Sequence, residues 1–168
     1  NIETEIVNAH LYDWSIDFTL SHIAKKDFST LCVHVVYQWE ETKDIFNMLS
    51  TIKQLKPRVH INIYGYYPTF TYDKILEDFP FIDSVTVGEP EFTSLDLARY
   101  TLSKQKNTVK INIPGLAFRN KDGNVVYHPR QPIQDLDLLP YPYRQDIDLY
   151  TKKGIAVYIL GSRGCYGH

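Results

Sequence analysis

The sequence predicts an α/β protein on a mainly parallel sheet, and three observations carry that expectation. Short β-rich runs alternate with helical patterns over the first hundred or so residues, which is the signature of βα units. The runs TLCVHVVY and VHINIYG are apolar almost throughout, as strands covered on both faces are. Turn residues rather than more helix separate the later runs, so a hairpin and a linker follow the α/β part.

Taken in order, EIVNAHL (5–11) reads as a strand, IDFTLSHIAK (16–25) as a weak helix and TLCVHVVY (30–37) as a buried strand. Residues 41–56 form the clearest helix. There Ile45, Met48, Leu49, Ile52 and Leu55 recur at three- and four-residue spacing, and Pro57 ends the pattern. That stripe is core packing. VHINIYG (59–65) is the next strand, YDKILEDF (72–79) a short helix and IDSVTVG (82–88) another strand. A helix then starts near Ser94, a capping residue type, with Leu95, Ala98 and Leu102 along one face. In GLAFRNKDGNVVYHP the Asp122-Gly123 pair predicts a hairpin. The stretch 128–150 carries prolines at 129, 132, 140 and 142 and reads as an extended linker, ordered by Leu136, Leu138, Leu139 and its tyrosines. A new buried strand is expected from residue 155, running straight into GSRGC. These readings divide the chain into an α/β domain (1–106), a hairpin and linker (107–150) and the start of a second domain (151–168).

A 43% hydrophobic and 14% aromatic composition suits a filled core, and a formal net charge of −2 without a basic block gives no pull toward nucleic acid or anionic membrane. The longest apolar run is far shorter than the roughly 20 residues of a membrane helix. A cytoplasmic location is the resulting expectation, with no membrane partner. Cys32 and Cys165 do not make a disulfide framework and are read as reduced thiols. Because the chain starts on Asn1 and stops inside a glycine-rich motif, it is expected to be a fragment.

In open parallel α/β sheets, ligands bind outside the carboxyl ends of the strands. Three loops fall there: VYQWEET with Tyr37, Gln38 and Trp39; YGYYPTF with Gly65, Tyr66, Pro68 and Thr69; and GEPEFTS with Gly88, Glu89 and Glu91. Glycines there let backbone amides approach a ligand, and aromatic rings could stack on a flat cofactor. From composition and spacing alone the simpler reading is favoured, that they are turn glycines beside aromatics that fill a domain interface. His10, His34 and His60 lie in expected strands as structural histidines, and no nucleophile triad, phosphate-binding loop or metal-binding helix motif is present. The carboxylates of QDLDLLP read as turn and capping groups. Cys165 follows Arg163 at an expected strand end, a setting that favours thiolate, yet one cysteine alone does not make a cluster site.

In order, VYQWEETKDIFNMLSTIKQLKP, INIYGYYPTF, IDSVTVGEPEFTSL, IPGLAFRNKDGNVVYHPRQPIQDLDLLPYP and YILGSRGCYGH resemble the N-terminal portion of cobalamin-binding radical SAM enzymes. The resemblance implies a flavodoxin-like (Rossmann-like) domain, lacking its first strand and helix, with residues 5–11 matching the family's second strand. It implies cobalamin flanked by Tyr37, Gln38, Trp39, Gly65, Tyr66, Pro68, Thr69, Gly88, Glu89 and Glu91. It also implies that Cys165 is the first thiolate of a Cys-x3-Cys-x2-Cys set. That set holds a [4Fe–4S] cluster and, through it, S-adenosylmethionine, for radical chemistry such as methyl transfer to carbon. The next cysteine would follow His168, so this chain alone is expected to be inactive, with the rest of the radical SAM domain elsewhere and a small-molecule or peptide substrate. Tyr66 stands where the family commonly has a second glycine, and Val35 near a small polar position, which narrows the pocket for the cofactor's nucleotide tail. No Asp-x-His-x-x-Gly motif offers cobalt a lower histidine ligand. A flavodoxin-like module that has lost the corrinoid and binds a substrate or partner is the alternative, and a plain flavin or signalling domain explains neither hairpin nor terminal motif.

Overall fold

Three parallel strands form the first half of the sheet, and a hairpin completes it. A computed structural model describes residues 2–37, 40–103, 111–142, 144, 146–157 and 163, with backbone only for residues 40 and 41. Strands β1 (Thr30–His34), β2 (His60–Tyr64) and β3 (Ser84–Thr86) pair in parallel, and β4 (Leu116–Arg119) and β5 (Val125–His128) add antiparallel in the order β1-β2-β3-β4-β5. The fold is the expected flavodoxin-like α/β arrangement, with helices on both faces of a mostly parallel sheet.

Alternation along the strands sorts the two faces. Ile61, Ile63, Val85 and Ala117 face helices α1 (Ile16–Ala24), α2 (Glu40–Leu55) and α3 (Tyr66–Asp78), whose Ile23, Phe46, Leu49, Ile52, Ile75 and Leu76 complete the main core. On the other face, Leu116 and Phe118 pack with Leu97 of α4 (Pro90–Leu102). That face is partly polar. Asn62, fully buried on β2, accepts from Ser84 Oγ at 2.9 Å and donates to Thr86 Oγ1 at 3.1 Å, while Ser84 also meets His60 Nε2 at 2.8 Å.

Several expectations need correcting. Residues 5–11 form no strand: the side chain of Asn8 accepts from the Leu11 amide (3.2 Å) and its carbonyl from the Tyr12 amide (3.3 Å), so the chain turns there and His10 lies in that turn. In the 2-1-3-4-5 order of a doubly wound sheet the second strand pairs only with the first, and no such first strand stands beside β1 among the described residues. Within α2, Phe46 is buried whereas Leu55, in the last turn, is 60% exposed. Helix α3 starts six residues earlier than expected. Gly and Pro in YGYYPTF read as a turn, but Pro68 is the third helical residue, where its missing N–H has no intrahelical partner to lose. Thr71 (φ −134°, ψ 22°) kinks the helix, its hydroxyl donating to the Tyr67 carbonyl at 2.7 Å.

Helix α4 likewise opens at Pro90, with Glu89 rather than Ser94 at the cap. Its buried stripe is Thr93, Leu97 and Thr101, and Leu95 and Leu102 face solvent. The hairpin is as expected, with Gly123 at φ 84° and the Asn120 side chain accepting from the amides of Asp122 and Asn124. Arg119 at its base reaches back to the end of α3, its guanidinium donating to the carbonyls of Leu76, Pro80 and Ile82.

Beyond the hairpin, of the leucines expected to order the linker only Leu139 is half-buried, and polar contacts, that of Tyr150 among them, hold it as well. Leu136, Leu138 and Tyr141 are exposed, Asp135 caps a single 3-10 turn (Leu136–Leu138), and a short helix, α5 (Ile147–Lys152), begins inside the stretch expected to be extended. Tyr12 donates to Asp146 at 2.8 Å, Asn8 donates to the Tyr150 hydroxyl at 2.8 Å, and Lys153 pairs with Asp13, so the N-terminal turn and α5 hold one another. Residues 155–157 are not strand, and the remainder of that expected strand lies outside the described residues.

Candidate functional site

At the carboxyl end of β1 the chain runs through the buried Val35 to Tyr37, and at the end of β2 it turns at Gly65 into α3. Gly65 is required there twice over. Its φ of 128° and ψ of −172° fall in a region essentially reserved for glycine, and a Cβ would sit 2.2 Å from the Val35 carbonyl oxygen. The close approach therefore packs strand against helix, and Val35 fills the space a side chain would take at Gly65. It aligns the first turn of α3 so that the Tyr67 amide donates to the Val36 carbonyl at 3.0 Å.

This turn places Tyr66 beside Tyr37, with rings nearly parallel (14°) and centroids 6.5 Å apart. Phe70, one turn on and on the same helix face, extends the surface. Together with Tyr67 and Thr71 they line an open cleft of about 450 Å³. Tyr37, Tyr66 and Phe70 are 52%, 66% and 80% exposed, an unusual display of aromatic surface at a strand end. Sequence reasoning missed Phe70, although its four-residue spacing from Tyr66 would have found it once α3 was known to begin at Tyr66.

Of the other expected residues, Pro68 is buried in α3, and Thr69 accepts from the Gly88 amide at 3.1 Å, tying the ends of β2 and β3 together. Gly88 (φ 83°) has open space where a Cβ would point, so it is the glycine of the set that a ligand could approach. Glu89 accepts from the Ile133 amide at 2.6 Å, and Arg163 pairs with both Glu89 and Glu91. Arg163 was not expected in the site. Gln38, Trp39 and Cys165 lie outside the described residues.

His34 closes β1 with its ring stacked on Tyr64 at 4.9 Å, and burial pushes its imidazole below the ordinary range. Burial, with Glu91 and Cys32 nearby, holds the Tyr64 phenol up. Burial likewise raises the Cys32 thiol, whose sulfur lies 3.9 Å from Asn62 Nδ2, although the residue stands on the open edge strand. A histidine depressed in the folded state favours folding while neutral, so its contribution is lost as pH falls from the ordinary imidazole pKa through the folded one. The expected result is an NMR titration of the His34 ring with a midpoint below that of free histidine. A midpoint at or above that value would show that stacking on Tyr64 does not desolvate the ring of this exposed residue.

The chemistry of the cleft suits a flat ring. Exposed aromatic faces suit such a ring and Gly88 permits close approach, whereas the acid pair at the head of α4 is taken up by the Ile133 amide and Arg163. Among the described residues no group of three or more metal-ligating side chains exists, and no helix is long and apolar enough to cross a membrane.

No family model matches the chain. It is 30% identical over 155 residues to an uncharacterized methyltransferase of Pyrococcus horikoshii, covering 89% of this chain and 33% of the relative. It is 29% identical over 109 residues to the anaerobic magnesium-protoporphyrin IX monomethyl ester cyclase of Rubrivivax gelatinosus, covering 64% of this chain and 19% of that one. The chain thus spans a third or less of the curated relatives it matches. Its fold superposes on the cobalamin-dependent S-adenosylmethionine radical enzyme OxsB, solved with aqua-cobalamin and S-adenosylmethionine bound, with a TM-score of 0.70 at 17% identity, covering 84% of this chain and 19% of that one. The resemblance read from the sequence is borne out by these likenesses.

Proposed function

We propose that this chain, similar in sequence and fold to cobalamin-dependent radical SAM enzymes, is the portion that holds the corrinoid. The aromatic cleft at the carboxyl ends of β1 and β2 carries the reading: Tyr37, Tyr66 and Phe70 offer ring faces to the cofactor, and Gly88 lets backbone approach its rim. Bound cobalamin would supply a cobalt centre able to carry a methyl group, alongside radical chemistry from S-adenosylmethionine and a [4Fe–4S] cluster in the intact protein. What these residues contribute is orientation and exclusion of water. Cys165 would be the first of the cluster's thiolates. Methyl transfer to carbon of a small-molecule or peptide substrate is the reaction we favour, since one relative is a methyltransferase.

Titrating hydroxocobalamin into the intact protein tests this. A saturable shift of the visible bands is expected, weakened about tenfold by Tyr37→Ala with Tyr66→Ala, the size of an aromatic anchor lost from an interface. Unchanged spectra at saturating protein would instead favour a flavodoxin-like module that binds substrate or partner without corrinoid.

A further inference from the structure

Arg163 stands two positions before Cys165 and reaches back 72 positions to the start of α4. Its Nη2 donates to Glu91 Oε1, and its Nη1 lies 3.5 Å from Glu89 Oε1. Both carboxylates belong where they are: Glu89 caps α4 and Glu91 lies in its first turn, at the positive end of the helix dipole. Neither closes on its own helix. Glu89 makes no side-chain cap bond and instead takes the Ile133 amide with its other oxygen, so one carboxylate grips both the linker and Arg163. The second oxygen of Glu91 is fully buried with no hydrogen-bond partner among the described residues. A carboxylate in that position needs a cation, and Arg163 is the one in contact with it. The hydrogen bond it donates to Glu91, ahead of the pairing with Glu89, holds the guanidinium firmly protonated.

We propose that Arg163 is a positioning residue whose pairing with Glu89 and Glu91 fastens the Cys165-bearing segment to the carboxyl edge of the sheet. The contact is made by protein groups alone, so the fastening is expected with or without cofactor. It would bring the end of the linker to the edge on which the aromatic cleft opens. The purpose of this clasp, to set a cluster loop against the corrinoid face, rests on the radical SAM reading above; its existence does not.

Hydrogen exchange read by mass spectrometry on the full chain, free of corrinoid and iron, tests it. Arg163→Gln, and separately Glu89→Gln with Glu91→Gln, are expected to speed exchange across residues 158–168 about fivefold, the upper range for a partly exposed ion pair. Combining the two sets should add little further, since both break one contact. Arg163→Lys, which keeps the charge but not the fork, should fall between wild type and Arg163→Gln. Unchanged exchange in either set, or acceleration shared equally by β1, β2 and β3, would overturn the proposal. Hydroxocobalamin titration of the same samples separates this result from the fate of the corrinoid reading.

Discussion

Gly65→Ala is expected to destabilise the chain by roughly 4 kcal/mol, the sum of a glycine-only backbone forced on an L residue and a hard overlap. The obstacle is not a side chain that can swing away. It is the Val35 carbonyl, with Val35 C at 2.9 Å and His34 Cδ2 at 3.1 Å behind it. Relief would require β1 and α3 to separate, and the Tyr67 amide would then lose the Val36 carbonyl. Chemical denaturation followed by circular dichroism measures this directly, and a loss under about 1 kcal/mol would show that the turn can take another form. Because the same turn aims Tyr66 at Tyr37, the variant should also lose the aromatic cleft at conditions where it remains folded.

Asn62→Ala is the second large effect, with an expected loss of about 3 kcal/mol. Asn62 has no exposed surface, sits between Cys32 on β1 and Ser84 and Thr86 on β3, and bonds both hydroxyls. Truncation leaves a cavity and strands partners in the interior, which is worse than never having placed them there. Asn62→Ala combined with Ser84→Ala and Thr86→Val removes the stranded groups and should recover part of the loss. If the triple variant were as unstable as the single one by the same denaturation measurement, the cavity together with the lost Ser84–His60 bond would be the cause.

The strands of the α/β part were legible because β-branched residues crowd into short runs, so Ile61, Ile63 and Val85 announce themselves. Helix starts were less so. Gly65 and Pro68 are turn formers by type, and nothing local says that the turn is already the first of α3; the same holds for Pro90. The buried stripe of α4 was misread because two of its three members are threonines, satisfied by tertiary bonds such as Thr30 to Thr101 at 2.6 Å and Thr93 to the Pro114 carbonyl at 3.0 Å. The candidate site was half visible. Loop position named Tyr37, Tyr66 and Gly88, but a salt bridge between Arg163 and carboxylates 72 and 74 positions away leaves no periodic trace.

The reach of Arg119 from the hairpin to the end of α3 has a consequence for how the molecule opens. Its three carbonyl partners lie 37 to 43 positions earlier, at and just beyond the end of α3. Pulling β4 away would cost those bonds and β3's second neighbour at once. Fraying of the hairpin is thereby expected to loosen α3, whose Tyr72 already packs on Tyr127 of β5, so that hairpin and helix open as one foldon instead of an independent flap on a finished sheet.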